Sequence, residues 1–221
     1  AREMIAHCIN ANPEEIFITS WGTESDNWAL KGTLLFSPKK QGIITSMIEH
    51  HAILNPCKTL SSLGYPVKYL SVDADGMVSG DELRNLITPT DRLVSIMMVN
   101  NEIGTIQHIK ELAKIAHQEG LIFHTDAVQA VGHISIDVKD LDIDMLSASA
   151  HKFNGPKGIG FLYVRNGIAL HPLIEGGGQE NGQRAGTENV ASVVGMAVAL
   201  KKNCAIIEQN KKHLQQLEKK F

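Results

Sequence analysis

The amino-acid sequence predicts an α/β fold in which a mostly parallel sheet is covered by helices on both faces. Short apolar stretches of strand length alternate with amphipathic stretches of helical length along most of the chain. This alternation is typical of right-handed βαβ units, which place helices on both faces of a parallel sheet. The chain has 221 residues, of which 43% are hydrophobic, so it is long enough to bury a large core.

The composition also narrows the classes of partner and compartment. The formal net charge of −3 gives no support for nucleic acid or an anionic membrane as the main partner. The longest apolar runs are strand-sized and no charged-then-apolar leader precedes Arg2, so neither a membrane span nor secretion is expected. The chain opens without Met, from which we expect an N-terminal segment to be missing. Cys8, Cys57 and Cys204 are scattered without C-x-x-C spacing, which favours reduced thiols in a cytoplasmic compartment.

The expected elements follow one another in a regular order. Strands are expected over residues 16–20, 43–46, 67–72, 93–99 and 121–125, followed by one that leads into Ser147 and one over 159–164. Helices are expected over residues 1–10, 28–35, 52–63, 81–87, 109–119 and 190–221. A loop with five glycines over residues 175–187 precedes the last helix and suits close backbone approach.

Polar and titratable side chains recur where these apolar strands end. Ligands of such sheets bind at the carboxyl ends of the strands. The sequence therefore predicts a functional site at this edge. Its candidate residues are Thr23, His50, Asn100, Asn101, Asp126, Gln129, Ser149, His151 and Lys152.

Lys152 follows small and hydroxyl residues that leave space in front of it at a strand end. A lysine in such a place can act as a covalent amine if its surroundings keep part of it unprotonated. The alternative is a surface lysine at a turn. Gly22-Thr23 has two interpretations as well, because a strand that opens a helix there can bind an anion, whereas Thr23 with Asp26 also fits a loose capping box.

The parts together fit one kind of cofactor, a pyridine ring that carries an aldehyde and a phosphate. Such a ring needs an amine, a carboxylate against its nitrogen, an anion site and a flat group on its face. The amine can come from Lys152, the carboxylate from Asp126, the anion site from Thr23 and the flat group from His50. Taken alone, Asp126 also fits a helix N-cap. His124 and Asp126 share one strand face without an obvious third ligand, so no metal site is predicted.

The motifs also resemble a known family. The segment 126–129, followed by 147–152, resembles the fold-type I, class V aminotransferase superfamily. Within it, the segments 22–25, 49–50, 99–104, 176–180 and 184–187 look like the NifS/IscS-type cysteine desulfurases, and selenocysteine lyases are close relatives. The resemblance runs in order over essentially the whole chain. It implies a three-layer αβα large domain with a mixed seven-stranded sheet over residues 1–190, and a helix over 191–221 leading toward a small C-terminal domain that the chain lacks.

The resemblance implies a role for each matching residue. Lys152 would hold pyridoxal 5′-phosphate covalently and move protons, and His50, stacked on the ring, would share the catalytic site with it. Asp126 would contact the ring nitrogen. The other implied cofactor contacts are Gln129 and Asn101 near the phenolic oxygen, and Gly22, Thr23, Ser149 and His151 around the phosphate. Thr187 would reach the phosphate of a partner subunit, which implies a homodimer.

The implied activity is that of a pyridoxal-phosphate-dependent cysteine desulfurase. Such an enzyme removes sulfur from L-cysteine, leaves alanine and passes a persulfide to an acceptor protein, for example in iron–sulfur cluster assembly. Cys8, Cys57 and Cys204 do not match the catalytic cysteine of the family, so this chain alone is expected to be inactive. Two alternatives stay open: a selenocysteine lyase or other class V enzyme, and a non-catalytic cofactor-binding or scaffold protein.

Overall fold

The fold is built on one seven-stranded mixed sheet, seen in a computed structural model that describes residues 1–36 and 39–219. The strands lie in the spatial order β1-β7-β6-β5-β4-β2-β3. Their bounds are β1 Ile16–Thr19, β2 Gly42–Ser46, β3 Val67–Leu70, β4 Asp91–Ser95, β5 Ile122–Asp126, β6 Met145–Ser149 and β7 Gly160–Val164.

Strands β2 to β6 pair in parallel, whereas β7 runs antiparallel to both of its neighbours, β6 and β1. A short connection after β6 brings the chain straight back as β7, and so short a connection permits only antiparallel pairing. The parallel pairs are joined by helical crossovers, which need a dozen or more residues. The structure confirms the predicted mixed sheet.

The described part of the chain forms seven α-helices. They are α1 Arg2–Cys8, α2 Gly22–Leu34, α3 His51–Ser62, α4 Gly80–Leu86, α5 Ile109–Gln118, α6 Val190–Ala205 and α7 Ile207–Glu218. All of them except the exposed α7 pack over the two faces of this sheet. The sheet separates two buried apolar clusters: α2 and α3 contribute Trp28 and Leu60 to one, and α5 and α6 contribute Leu112 and Met196 to the other. Apolar burial on both faces of the sheet gives the predicted three-layer αβα arrangement.

Helix α2 begins earlier than the sequence predicts. A start near Trp28 was expected because the preceding segment is polar, but the helix already starts at Gly22. Thr23 therefore lies inside the helix, and the capping box with Asp26 does not form, since the N-cap residue is Trp21. Ser25 and Asp26 are buried against the sheet, so this polar segment is helical and turns these two residues inward.

The expected single helix over 190–221 is wrong, because the chain bends by 61° between α6 and α7. At the break, the amide of Ile206 bonds to the carbonyl oxygen of Asn203, three residues back, which tightens the last turn of α6. Helix α6 packs against α1 and against the turn after β6. The domain boundary near residue 190 stays a prediction, and residues 220–221 of the expected helix lie outside the described residues.

No individual helix in the described ranges is both long and apolar enough to cross a bilayer. The bent pair of α6 and α7 meets the length and composition test only when the two helices are taken together.

Candidate active site

A cavity of about 700 Å³ opens at the carboxyl edge of the sheet. The connections after β1, β2, β4, β5 and β6 all contribute to its wall, because the parallel strands end at this edge. Every cofactor-binding residue predicted from the sequence except Thr187 lines it. These residues are Gly22, Thr23, His50, Asn101, Asp126, Gln129, Ser149, His151 and Lys152.

Lys152 is held by its backbone and free at its amine. It lies in a single 3-10 turn, Ala150–Phe153, directly after β6. His133 Nε2 lies 2.7 Å from the Lys152 carbonyl oxygen, and Asn203 Nδ2 donates to the Phe153 carbonyl oxygen at 2.7 Å. The exposed side chain forms no hydrogen bond or ion pair with the described part of the chain. Lys152 is thus a turn residue whose amine remains available at the cavity.

Asp126 ends β5 and presents a buried carboxylate to the cavity, with 5% of the residue exposed. Burial raises the pKa of Asp126, while the N–H of Val128, the His50 ring and the Lys152 ammonium act against this rise. The Val128 amide donates to Oδ1 at 2.9 Å. Residues 128–130 form a turn, so Asp126 does not cap a helix here.

One corner of the cavity is suited to an anion. Helix α2 starts there with Gly22 and Thr23, and the first N–H groups of a helix carry a partial positive charge. Ser149 lies next to Gly22, and its Oγ is 2.9 Å from His151 Nδ1. A Cβ on Gly22 would come within 2.4 Å of Val128 Cγ2, so only glycine allows this approach.

His50 is fixed by the helix that follows it. As the N-cap of α3, it accepts a hydrogen bond at Nδ1 from the Ala52 amide at 3.1 Å. The neighbouring Glu49 is buried and accepts from Ser46 Oγ at 2.7 Å and from the Met97 amide at 2.8 Å. Burial raises the pKa of Glu49 to about 8. Glu49 therefore ties the ends of β2 and β4 together and sets where His50 enters the cavity.

The remaining predicted residues lie at the rim or outside it. Asn101 is exposed and donates to Glu102 Oε1 at 2.7 Å, and Gln129 is half-buried beside Asp126 in the wall. Thr187 is exposed on the glycine-rich loop and does not line the cavity. Cys8, Cys57 and Cys204 are absent from the described lining. Burial raises the pKa of the Cys57 thiol to about 12, which makes it a poor nucleophile.

Two anchors of the glycine-rich loop were missed in the sequence. Glu180 is buried, pairs with the Arg2 guanidinium at 2.8 Å and accepts from the Ile18 amide at 2.8 Å. Arg184 donates to Glu24 at 2.8 Å and to Ser20 Oγ at 2.9 Å. These contacts hold the loop against β1 and the first turn of α2. The charged residues among the glycines were the signal for this role.

A buried row of polar side chains near the cavity, formed by Ser95, His124 and Ser147, was also not predicted from the sequence. His124 Nδ1 lies 2.9 Å from Ser95 Oγ, and its Nε2 lies 3.0 Å from Ser147 Oγ. Burial lowers the pKa of His124 to about 3, so the ring is neutral at physiological pH. Asp26 lies next to this row and lines the cavity. Among the described residues, no cluster of three or more His, Cys, Asp or Glu side chains could hold a metal ion.

The fold and this cavity define a member of the fold-type I group. The chain belongs to the class V aminotransferase family, whose model, described as "Aminotransferase class-V", matches residues 1–221. It is 54% identical over 202 residues to the cysteine desulfurase IscS of Clostridium botulinum (strain Hall), and the match covers 90% of this chain and 51% of that protein. The chain thus spans about half the length of the curated relatives it matches.

Solved structures show the same likeness. A structure titled "NIFS-LIKE PROTEIN" superposes with a TM-score of 0.96 at 44% identity, covering 99% of this chain and 61% of the other. A second, titled "SspA in complex with cysteine", superposes with a TM-score of 0.88 at 45% identity, covering 90% and 58%. Both likenesses confirm the expected fold.

Proposed function

We propose that this chain is the cofactor-binding part of a pyridoxal-phosphate-dependent cysteine desulfurase. The observation that carries the proposal is that one cavity presents both the unpaired amine of Lys152 and the buried carboxylate of Asp126. Relatives named cysteine desulfurase, at 54% identity, support the same activity.

The donor set of the cavity fits pyridoxal 5′-phosphate. The N-terminus of α2 with Thr23, together with Ser149 and His151, would bind the phosphate, and Asp126 would bind the ring nitrogen. Both carboxyl oxygens of Asp26 are buried at the wall without a hydrogen-bond partner of normal geometry among the described residues, as expected where a polar group is to be bound. The His50 ring offers a flat face beside Asp126.

When bound, this cofactor supplies an electron sink that stabilises negative charge next to the substrate amino group. Lys152 Nζ would hold the cofactor and would accept and donate a proton in the cavity. Asp126 keeps the ring nitrogen protonated, because a buried carboxylate favours a positive charge beside it. His50 excludes water from one face of the site.

The wider features of the proposal rest on the same relatives. The substrate would be L-cysteine, the product a persulfide passed to an acceptor protein, and the attacking thiol would come from outside the described cavity lining. A homodimer is supported by large apolar side chains exposed on the connections after β1, β2 and β4, namely Trp21, Met47, Ile103 and Ile106, and by the exposed Thr187. Three free cysteines support a cytoplasmic location.

The test measures the products of the natural full-length protein after it is loaded with pyridoxal phosphate. With L-cysteine, we expect alanine and sulfide in equal amounts in the presence of a reducing thiol. Release from selenocysteine alone would instead identify a selenocysteine lyase. Tight cofactor binding without either product would identify a binding or scaffold protein.

A further inference from the structure

Two aspartates share the wall of the cavity. Asp26 comes from the second turn of α2 and Asp126 from the end of β5, and the two residues are 1% and 5% exposed. Both line the same cavity. Two neighbouring carboxyl groups in a site of low dielectric constant do not both ionise readily, since each negative charge disfavours the other. One proton is therefore expected on the pair.

The surroundings of the two carboxyl groups differ. Asp126 accepts a hydrogen bond from the Val128 amide at 2.9 Å, and the nearby Lys152 ammonium and His50 ring act to lower its pKa. Neither carboxyl oxygen of Asp26 has a hydrogen-bond partner of normal geometry among residues 1–36 and 39–219. The arrangement stabilises a negative charge on Asp126 and offers little to a negative charge on Asp26.

The groups that face Asp26 favour its neutral form. His124 Nε2 lies 3.8 Å from Asp26 Oδ1, but its ring is uncharged, because burial lowers the pKa of His124 to about 3. Burial raises the pKa of Asp26 well above its usual range, and the charges of Asp126 and Glu49 raise it further, while the Ser147 hydroxyl acts in the opposite direction. The surroundings of Asp26 thus contain no cation that would hold it ionised in the described structure.

We propose that Asp26 is a positioning residue that stands in the cavity as a neutral carboxylic acid and leaves the single negative charge of the pair on Asp126. The use of that charge, to bind a protonated ring nitrogen, rests on the proposed function. An ionised Asp26 would compete for the same positive charge and raise the pKa of Asp126, so the carboxylate next to the ring would be lost.

The first arm of the test needs no cofactor. Infrared difference spectra of the full-length apo-protein at pH 7 compare Asp26→Asn and Asp126→Asn with the wild type in the carbonyl region of protonated carboxyl groups. Differences are required, because Glu49 also holds a proton near this pH. We expect Asp26→Asn to lose one protonated-carboxyl band and Asp126→Asn to retain it. Loss in Asp126→Asn with retention in Asp26→Asn, or no loss in either, would overturn the proposal.

The second arm measures the dissociation constant of pyridoxal phosphate by absorbance titration. Asparagine matches a neutral carboxylic acid in shape, so Asp26→Asn should bind within about threefold of the wild type, whereas Asp126→Asn should bind at least about tenfold more weakly. An equal loss in both variants would show that Asp26 acts as a charge. If the wild type binds no pyridoxal phosphate, the proposed function fails, while the infrared arm still decides the position of the proton. If Asp26→Asn does not fold, the comparison of Asp126→Asn with the wild type still tests the proposal, because loss of a protonated-carboxyl band in that variant would overturn it.

Discussion

Clusters of charged side chains lie at both edges of the sheet. At the amino edge, Asp144 sits 2.7 Å from His117 Nε2 and 3.3 Å from Arg165 Nη1, and it also accepts from the Phe123 amide at 2.8 Å. Asp142 pairs with the same histidine and arginine, at 2.8 and 2.7 Å. At the carboxyl edge, Lys152 and both oxygens of Asp26 lack such partners within the described chain.

This difference in pairing distinguishes a cluster that stabilises the fold from a site that can bind a ligand. Buried polar groups in proteins are almost always hydrogen-bonded, so a group that is buried and unpaired costs free energy of folding. In the cluster around Asp144, neighbouring side chains and a backbone amide pair with the buried carboxylate, and these contacts hold α5 against the starts of β5 and β6. At the carboxyl edge the unpaired groups border a cavity, where a ligand can complete them. Pairing therefore distinguishes the Asp144 cluster from the cavity better than charge does.

The largest effect is expected for Lys152→Ala in the full-length enzyme. Activity should fall by a factor on the order of 10³, because both the covalent hold on the cofactor and a proton carrier are removed. The free energy of unfolding of the apo-protein should change by less than about 0.5 kcal/mol, since the amine has no partner to lose. Turnover assays and urea unfolding measure the two quantities. Lys110→Ala, which removes an exposed ion pair with Asp140, is the control and should leave activity unchanged. Full activity of Lys152→Ala would contradict the assignment of the unpaired Lys152 amine to a functional site.

Asp144→Ala is the reciprocal experiment at the amino edge. Loss of this buried carboxylate leaves the Phe123 amide and part of the His117 and Arg165 charges without a partner, so the free energy of unfolding should drop by about 3 kcal/mol. The dissociation constant of the cofactor should stay the same for the folded fraction. Asp140→Ala at the exposed pair should cost less than about 1 kcal/mol. Equal costs for the two variants in urea unfolding would contradict the assignment of Asp144.

A third experiment tests whether His124, which is buried at the end of the sheet that holds the cavity, is neutral in the folded protein. Burial lowers its folded-state pKa to about 3, so below pH 6.5 the unfolded chain takes up a proton that the folded chain does not. His124 should thus remove about 2 kcal/mol of stability between pH 7 and pH 5. Asp26 and Glu49 have raised pKa values, so they add stability over the same fall in pH. The effect of His124 is therefore measured as the difference in the free energy of unfolding between the wild type and His124→Gln, by urea unfolding at both pH values.

The exposed His213→Gln serves as the matched control for this comparison and should keep the wild-type pH dependence. An identical pH dependence of His124→Gln and the wild type would show that the ring is not held neutral in the folded protein.

The fold was largely predictable because burial on both faces leaves a strong local signal. Apolar runs located all seven strands, although β4 spans Asp91–Ser95 and not the expected 93–99. Polar residues after the strands indicated the edge that holds the cavity. The break at Ile206 was not predictable, because it depends on how the last turn of α6 packs: Asn203 reaches across to the Phe153 carbonyl oxygen. No pattern within the helix records that contact.

Within the site, the resemblance and the strand-end rule identified the groups that surround the cavity, whereas Asp26 was missed. Its segment, Thr23 to Asn27, is polar, and such a segment before an apolar helix usually forms an exposed cap. Whether a polar residue in a helix points to water or to the sheet is decided by the packing of that helix. The burial of Asp26 becomes visible when α2 is placed over β6 and β7.

The reversal of β7 has a consequence for the order in which the molecule is assembled. Strand β1 pairs with β7, about 140 residues later in the chain, and with no other strand in the described structure. During synthesis at about 5–20 residues per second, β1 waits roughly 7–28 s for this partner. The first two turns of α2, which carry Thr23 and Asp26, follow β1 closely in the chain, so this wall of the cavity is secured only after β7 has been made. The binding site can therefore form completely only after β7, the last strand of the sheet in chain order, has been synthesised.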